Sequence, residues 1–216
     1  DHGEILAAGP QGAAKWANNS WAPAAAHKTI DGKEKFFLYF ADNGSGIGVL
    51  TADSPIGPFT DPIGKQLVSR STPGASDVTW LFDPAVLVDD DGSGYLYFGG
   101  GIPAGKDADP GTARVAKLRA DMISLDLDAS GGKAQPINPP WLFEDSGINK
   151  YNGKYYYSYS TNFSGQHPTD IPTGTIAYMV SDHPLGPFTY VKTILPNPAV
   201  FFGVGGNNNH AMFEFK

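Results

Sequence analysis

Three stretches of this chain align on one another at a spacing of 61 residues. They are WAPAAAHKTIDGKEKFFLYFADN at 21–43, FDPAVLVDDDGSGYLYFGGG at 82–101 and FEDSGINKYNGKYYYSYSTN at 143–162. Each opens on an aromatic residue (Trp21, Phe82, Phe143), runs through a short strand, turns at a Gly and returns as an aromatic-rich strand. A fixed period of this kind restricts the fold more than any local propensity does, because each unit must be one supersecondary element stacked on its copies.

Within the first unit, residues 22–28 read as a strand, Asp31-Gly32-Lys33 as a turn, 36–40 as the returning strand and 47–51 as a third. SPIGPFTDP at 54–62 leads into a short fourth. In the second unit, 85–88 and 95–98 flank the turn DDDGSG, and 112–118 supplies the third strand. In the third, 148–151 and 155–159 flank Asn152-Gly153, 175–180 follows, and HPLGPFTYV at 183–191 repeats the SPIGPFT element. β-Branched and aromatic runs bounded by Gly, Asn and Asp are strand signals, and Asn-Gly between two of them is a hairpin signal. Residues 112–128 form the one segment with some helical character; their apolar positions fit neither period cleanly, and strand is preferred to helix on context. The 27 Gly and 18 Pro, about a fifth of the chain, suit many turns and few long helices.

Four short strands per repeat of about 60 residues describe a β-propeller blade. The blade units fall near 21–81, 82–142 and 143–206, and a fourth opens at 207–216 as NNNHAMFEFK. The chain therefore predicts an all-β, incomplete propeller of about three and a half blades in a single domain. It opens at Asp1 without Met, and the natural N-terminus is expected upstream.

A net charge of −7 with only 15 basic residues argues against nucleic acid or an anionic membrane face as partner. No run approaches the length of a membrane helix. The absence of Cys excludes disulfides and thiolate metal sites. A secreted or cell-surface bacterial location is expected, with a cytoplasmic one as the alternative.

In a propeller the innermost strands run side by side around one axis, so equivalent positions converge on a central pocket. The second residues of the three units are Ala22, Asp83 and Glu144, two of them acids. Two carboxyls facing one pocket suit glycoside hydrolysis, in which one acid protonates the leaving oxygen and a second carboxylate serves water or the anomeric carbon. Crowded like charges also raise the proton affinity of one partner. The competing reading is structural: Asp-Pro opens turns, and Glu144-Asp145-Ser146 is compatible with a solvated turn. Trp21 and Trp80 precede inner strands, where an indole face can stack on a sugar, and Phe163 follows a middle strand; core packing is the alternative for each. Trp16 and Trp141 are assigned structural roles. DDDGSG reads as a solvated hairpin turn, since it lacks the downstream Glu of a calcium loop. Asn18-Asn19-Ser20 and Asn162-Phe163-Ser164 match the glycosylation acceptor pattern.

The segments SWAPAA, FDPAVLVDDDGSGYLYFGG, FEDSGINKYNGKYYYSYS, GTIAYMVSDHPLGPF and GGNNNHAMFEF resemble glycoside hydrolase family 43, in that order along the chain. They are most similar to its arabinofuranosidase, β-xylosidase and arabinoxylan arabinofuranohydrolase branch. The resemblance implies a five-bladed propeller of inverting glycosidases acting on hemicellulose such as arabinoxylan, arabinan and xylan. It implies that Glu144 is the general acid and that Asp83 raises its pKa and orients it. The family's general base lies in an Asp-Pro motif expected before Asp1; Asp61-Pro62 and Asp109-Pro110 sit in outer-strand or loop contexts and do not match it. Asn207, Asn208 and His210 are turned toward the pocket by the resemblance, as substrate-binding residues. No cofactor is required, although in some relatives a His near the axis helps hold calcium, which places a calcium ion near His210 among the expectations. A non-catalytic carbohydrate-binding propeller is the alternative function.

Overall fold

The computed structural model describes residues 4–212. Eleven strands fall into three antiparallel sheets, each meandering outward in chain order. The first sheet holds β1 (Trp21–Ile30), β2 (Lys33–Ala41) and β3 (Ile47–Ala52). The second holds β4 (Ala85–Val88), β5 (Gly94–Phe98), β6 (Ala113–Leu118) and β7 (Gln135–Ile137). The third holds β8 (Leu142–Tyr151), β9 (Lys154–Thr161), β10 (Ile176–Ser181) and β11 (Thr189–Leu195). The first strands of neighbouring sheets, β1 with β4 and β4 with β8, lie against one another, which is the arrangement of blades around a hub.

Turn chemistry sets the inner hairpins. Asp31-Gly32 and Asn152-Gly153 both carry positive φ at each position (50° and 75°; 48° and 74°). That pair of conformations twists a two-residue loop to match its strands, and Asp-Gly and Asn-Gly adopt it at least cost. In the DDDGSG turn, Asp89 N–H donates to the Ser93 carbonyl and Gly92 N–H returns to Asp89.

Alternation along the middle strands builds the core. From β2, Tyr39 and Ala41 face forward to meet Leu96 and Phe98 of β5. Tyr97 of β5, on the opposite face, meets Tyr157 and Tyr159 of β9. Phe40 and Leu50 pack backward on Ala7, Ala14 and Ala17 of the N-terminal segment. Two equivalent tyrosines tie each blade to the next: Tyr39 Oη donates to the Met122 carbonyl and Tyr97 Oη to the Pro184 carbonyl, both at 2.7 Å. Lys150 and Tyr155 of the third blade bind Asp89 of the second, so that turn serves as an inter-blade anchor.

The outermost strands depart from the sequence reading. Residues 54–62 form only a bridge between Thr51 and Thr60, because Pro58 and Pro62 remove ladder donors. β7 is three residues long and was not anticipated. Beyond Leu118, residues to 128 form turns with a single bridge from Leu118 to Leu125, and no helix. The one helix among the described residues, α1 (Ala199–Phe202), was not foreseen either. The expected fourth unit has no strand over 207–212, and its remainder lies outside the described residues.

Tyr97 is wholly buried between the second and third blades. Tyr97→Ala is expected to cost about 3–5 kcal/mol of stability, from cavity formation and loss of the inter-blade hydrogen bond. Urea unfolding of the complete protein, read as a shift in midpoint at constant slope, checks this.

Candidate active site

Strand register defines which hub positions are equivalent. Ala24 pairs with Tyr39, Ala85 with Tyr97 and Gly147 with Ser158. Upstream of each pair the inner strand kinks: Trp21 pairs with Ala41, the Phe82 carbonyl accepts from Gly99 N–H, and Glu144 pairs with Ser160. Between these anchors sits one left-handed residue per blade, Ala22 (φ 44°), Asp83 (φ 47°) and Asp145 (φ 68°). The equivalent set is therefore Ala22, Asp83 and Asp145, and Glu144 is the counterpart of Trp21 and Phe82. The 61-residue spacing misses this by one position in the third unit, because the anchors Trp21, Phe82 and Glu144 stand 61 and then 62 residues apart.

The kink sets both predicted carboxyls close enough for the Asp83 charge to act on Glu144, although of the two only Asp83 lines the hub cleft. Asp83 and Glu144 are 8% and 7% exposed, so neither belongs to the solvated turn of the competing reading. Asp83 Oδ2 accepts the backbone N–H of Asp145 at 2.8 Å. Glu144 Oε1 is buried without a hydrogen-bond partner. Burial, more than charge, pushes Glu144 up to about 7; the Asp83 and Asp145 carboxylates add to the rise, and the Asn207 amide opposes it. Burial likewise raises Asp83 to about 6, against the pull of the Asp145 N–H, with the Asp145 charge adding to the rise. Sequence reasoning had named charge crowding; desolvation is the larger cause.

Asp83 and Asp145 line a cleft of about 430 Å³ together with Ala22, Ala24, Ser146, Gly147 and His210. The small residues of β1 leave its floor open. Beside it, Trp80 meets Phe82 and Phe143 edge-on at 5.3 and 5.7 Å, and Phe143 meets Phe163 edge-on at 6.0 Å. Trp80 and Phe163 stay 39% and 46% exposed, so faces remain free for a ligand. Phe143, which joins them, was missed; its place next to Glu144 was the available signal. Trp21 is half-exposed at the strand position that Glu144 occupies in the third blade. Trp16 and Trp141 take structural roles as expected: Trp16 donates to Asp61 and packs on Phe40, and Trp141 lies on His167 at 4.0 Å.

The Asn-rich segment divides. Asn207 is exposed and lines a second, larger opening of about 720 Å³ with Phe163 and Thr175. Asn208 corrects the expectation of substrate binding. It is 4% exposed, and its amide donates to the Gly174 and Pro196 carbonyls, closing a turn rather than facing a sugar. His210 reaches the cleft, but both ring nitrogens are engaged, Nδ1 with Asp145 Oδ2 and Nε2 with Ser158 Oγ at 2.6 Å. No group of three or more His, Cys, Asp or Glu gathers among the described residues, and both His210 ring nitrogens already have protein partners, so nothing here supports the calcium ion expected near His210. The Asn162 acceptor pattern falls on a fully buried amide bonded to the Asp107 and Leu142 carbonyls, which leaves no attachment site for a glycan.

The family model for Glycosyl hydrolases family 43 matches residues 1–196. The chain belongs to glycoside hydrolase family 43. It is 65% identical to an arabinoxylan arabinofuranohydrolase of Paenibacillus polymyxa and 61% identical to one of Bacillus subtilis, with the whole chain aligned in both. It spans 35% and 44% of those proteins, so less than half of either length. The crystal structure of a family 43 arabinoxylan arabinofuranohydrolase from Bacillus subtilis, in complex with cellotetraose, superposes with a TM-score of 0.96 at 60% identity, covering the whole chain and 46% of that structure. An α-L-arabinofuranosidase from Clostridium thermocellum superposes with a TM-score of 0.77 at 41% identity, over the whole chain and 64% of its own. The three sheets are thus blades of a family 43 propeller, of which this chain is a part.

Because Asp83 and Glu144 bind protons more tightly in the fold than in the unfolded chain, the stability they lend is full below about pH 4. It is lost as pH rises through about 6 for Asp83 and about 7 for Glu144. Glu144→Gln is therefore expected to melt above the parent at pH 8 and level with it at pH 4. Calorimetric melting at the two pH values tests this.

Proposed function

We propose that this chain carries the acid half of an inverting glycosidase that releases arabinofuranosyl or xylosyl residues from hemicellulose. The observation that carries the reading is a pair of buried carboxyls at one hub, Asp83 raised to about 6 and Glu144 to about 7. Between those values Glu144 holds its proton while Asp83 is charged, which is the state an acid catalyst needs near neutrality. The similarity to two arabinoxylan arabinofuranohydrolases supports arabinoxylan as the substrate class. The oligosaccharide bound to the Bacillus subtilis relative supports a carbohydrate ligand.

In this mechanism the Glu144 carboxyl donates its proton to the glycosidic oxygen as the bond from that oxygen to the anomeric carbon breaks. Water attacks the opposite face of the anomeric carbon and gives its proton to a third carboxylate, the base. Asp145, the other carboxyl of this hub among the described residues, is tied to His210 and Asp83 is tied to the Asp145 N–H, so the base is assigned to another part of the protein. Inversion requires about 6.5–9.5 Å between base and acid, room for that water. Trp80 and Phe163 offer stacking faces for the sugars, and Asn207 offers an amide that both donates and accepts.

Glu144→Gln in the complete protein is expected to lower turnover on arabinoxylan by about 10²–10⁴-fold, the usual contribution of a general acid. Reducing-sugar release together with proton NMR of the first-formed anomer measures the loss and the inversion. Near-parental turnover by this variant removes Glu144 from the acid role; binding of arabinoxylan by a parent protein that never cleaves it returns the chain to the carbohydrate-binding reading. Asp83→Asn takes away a charge that raises Glu144, so the alkaline limb of the rate profile should move to lower pH. An unmoved limb counts against the role of Asp83.

A further inference from the structure

The third blade breaks the repeat at one cross-strand pair. Ala24 with Tyr39 and Ala85 with Tyr97 become Gly147 with Ser158. Both replacements are smaller, and the ring of His210 stands in the space they leave. A Cβ at Gly147 would lie 2.5 Å from Ser158 Oγ and 2.9 Å from His210 Nε2, so this packing requires Gly there. Where Tyr39 and Tyr97 reach across to the next blade, Ser158 instead holds His210 at 2.6 Å.

His210 then binds the kink twice. Its backbone N–H donates to Asp145 Oδ2 at 2.8 Å, and its ring Nδ1 meets the same oxygen. A carboxylate only accepts, so Nδ1 carries the hydrogen; in the neutral ring Nε2 then accepts from the Ser158 hydroxyl. Asp145 is the left-handed residue of the kink (φ 68°), a conformation that a non-Gly residue keeps only when its surroundings impose it. Its backbone N–H points at Asp83, and its preceding neighbour is Glu144. On the other side of the kink, Ser146 Oγ meets Tyr157 Oη at 3.1 Å.

Building on the hydrolase reading above, we propose that Ser158 and His210 are positioning residues: as a Ser158–His210–Asp145 clamp they fix the 144–147 kink and so hold the Glu144 carboxyl in its buried place opposite Asp83. Neither touches the sugar. The groups facing Glu144 are Asp83, Asp145 and Asn207, so losing the clamp acts on Glu144 only through movement of the kink. His210 is thereby a strut for the acid, which accounts for both of its ring nitrogens being occupied.

The test uses the complete protein with His210→Ala, His210→Asn and Ser158→Ala. Arabinoxylan, whose leaving group is an unactivated sugar hydroxyl, needs the proton from Glu144; 4-nitrophenyl arabinofuranoside, which leaves as a stable phenolate, needs it little. His210→Ala should lower kcat on arabinoxylan about tenfold or more, as a misplaced acid does, with KM within about twofold and a much smaller loss on the aryl substrate. His210→Asn, whose amide still donates to Asp145, should recover most of it. Carboxyl-carbon NMR should find Glu144 titrating lower in His210→Ala and Ser158→Ala than in the parent. Equal losses on the two substrates, a loss confined to KM, or an unmoved Glu144 titration overturns the clamp. If His210→Ala does not melt cooperatively, Ser158→Ala and His210→Asn carry the same comparison. A parent protein that cleaves neither substrate overturns the hydrolase reading instead, and the NMR titration still decides the clamp.

Discussion

One hydrogen bond joins two blades where the acids meet: the backbone N–H of Asp145, in the third blade, to the carboxylate of Asp83, in the second. It exists because each inner strand kinks at the hub around a left-handed residue. The kink turns a backbone donor sideways, out of its own ladder and toward the neighbouring blade. A flat strand would spend that N–H on its own sheet and leave the Asp83 charge buried without a donor, a state that costs several kcal/mol. The donor therefore makes a charged Asp83 tolerable at the hub, and a charged Asp83 in turn helps keep the Glu144 proton in place.

Glu144 is treated in the opposite way. Its Oε1 is buried with no partner, whereas the Asp83 Oδ2 has one. Two neighbouring carboxyls are thus treated differently: the backbone gives Asp83 a donor, and Glu144 Oε1 has none. Burial is the leading cause of both shifts, so the closed walls around the hub matter more to the acid than the charges within it. Those walls are the aromatic run of Phe82, Trp80 and Phe143 on one side and the wholly buried tyrosines of β9 behind. The same packing that closes one blade on the next supplies the low-dielectric surroundings that raise a proton affinity.

Much of this was legible in the chain because the repeat is physical. The near-equal spacing of the inner strands reflects similar blades, and Asp-Gly and Asn-Gly between aromatic runs reflect the twist their hairpins need. Inner and middle strands were found where alternation was strong. Outer strands were not: β7 is too short to have a period, and prolines leave the 54–62 segment with a lone bridge. The site was legible to within one residue. Counting by 61 aligned Asp83 with Glu144, but the chain between the second and third inner strands is one residue longer than between the first and second, so the spatial equivalent of Asp83 is Asp145. A one-residue difference in the chain that joins two blades is invisible to a periodicity argument, since it changes count without changing composition. Asn208 shows another limit. Four polar residues in a row, Asn207 to His210, look alike in sequence, yet Asn207 lines the larger opening, Asn208 is buried closing a turn, Asn209 lines the hub cleft, and His210 is locked between Asp145 and Ser158.

The departures from the repeat are where this blade gains its chemistry. Ala22, Asp83 and Asp145 share a backbone conformation and differ only in side chain, so the fold provides the place and the sequence decides what stands in it. In the first blade a methyl group opens the floor of the cleft. In the second a carboxylate takes a donor from its neighbour. In the third, the carboxylate is held by His210, and the residue before it, Glu144, is buried with its Oε1 unpaired. Restoring the repeat in that blade, an Ala at Gly147 with a Tyr at Ser158, would fill the room that His210 occupies. The pair that most weakens the resemblance of the third blade to the other two is thus the pair that makes space for the group holding its kink.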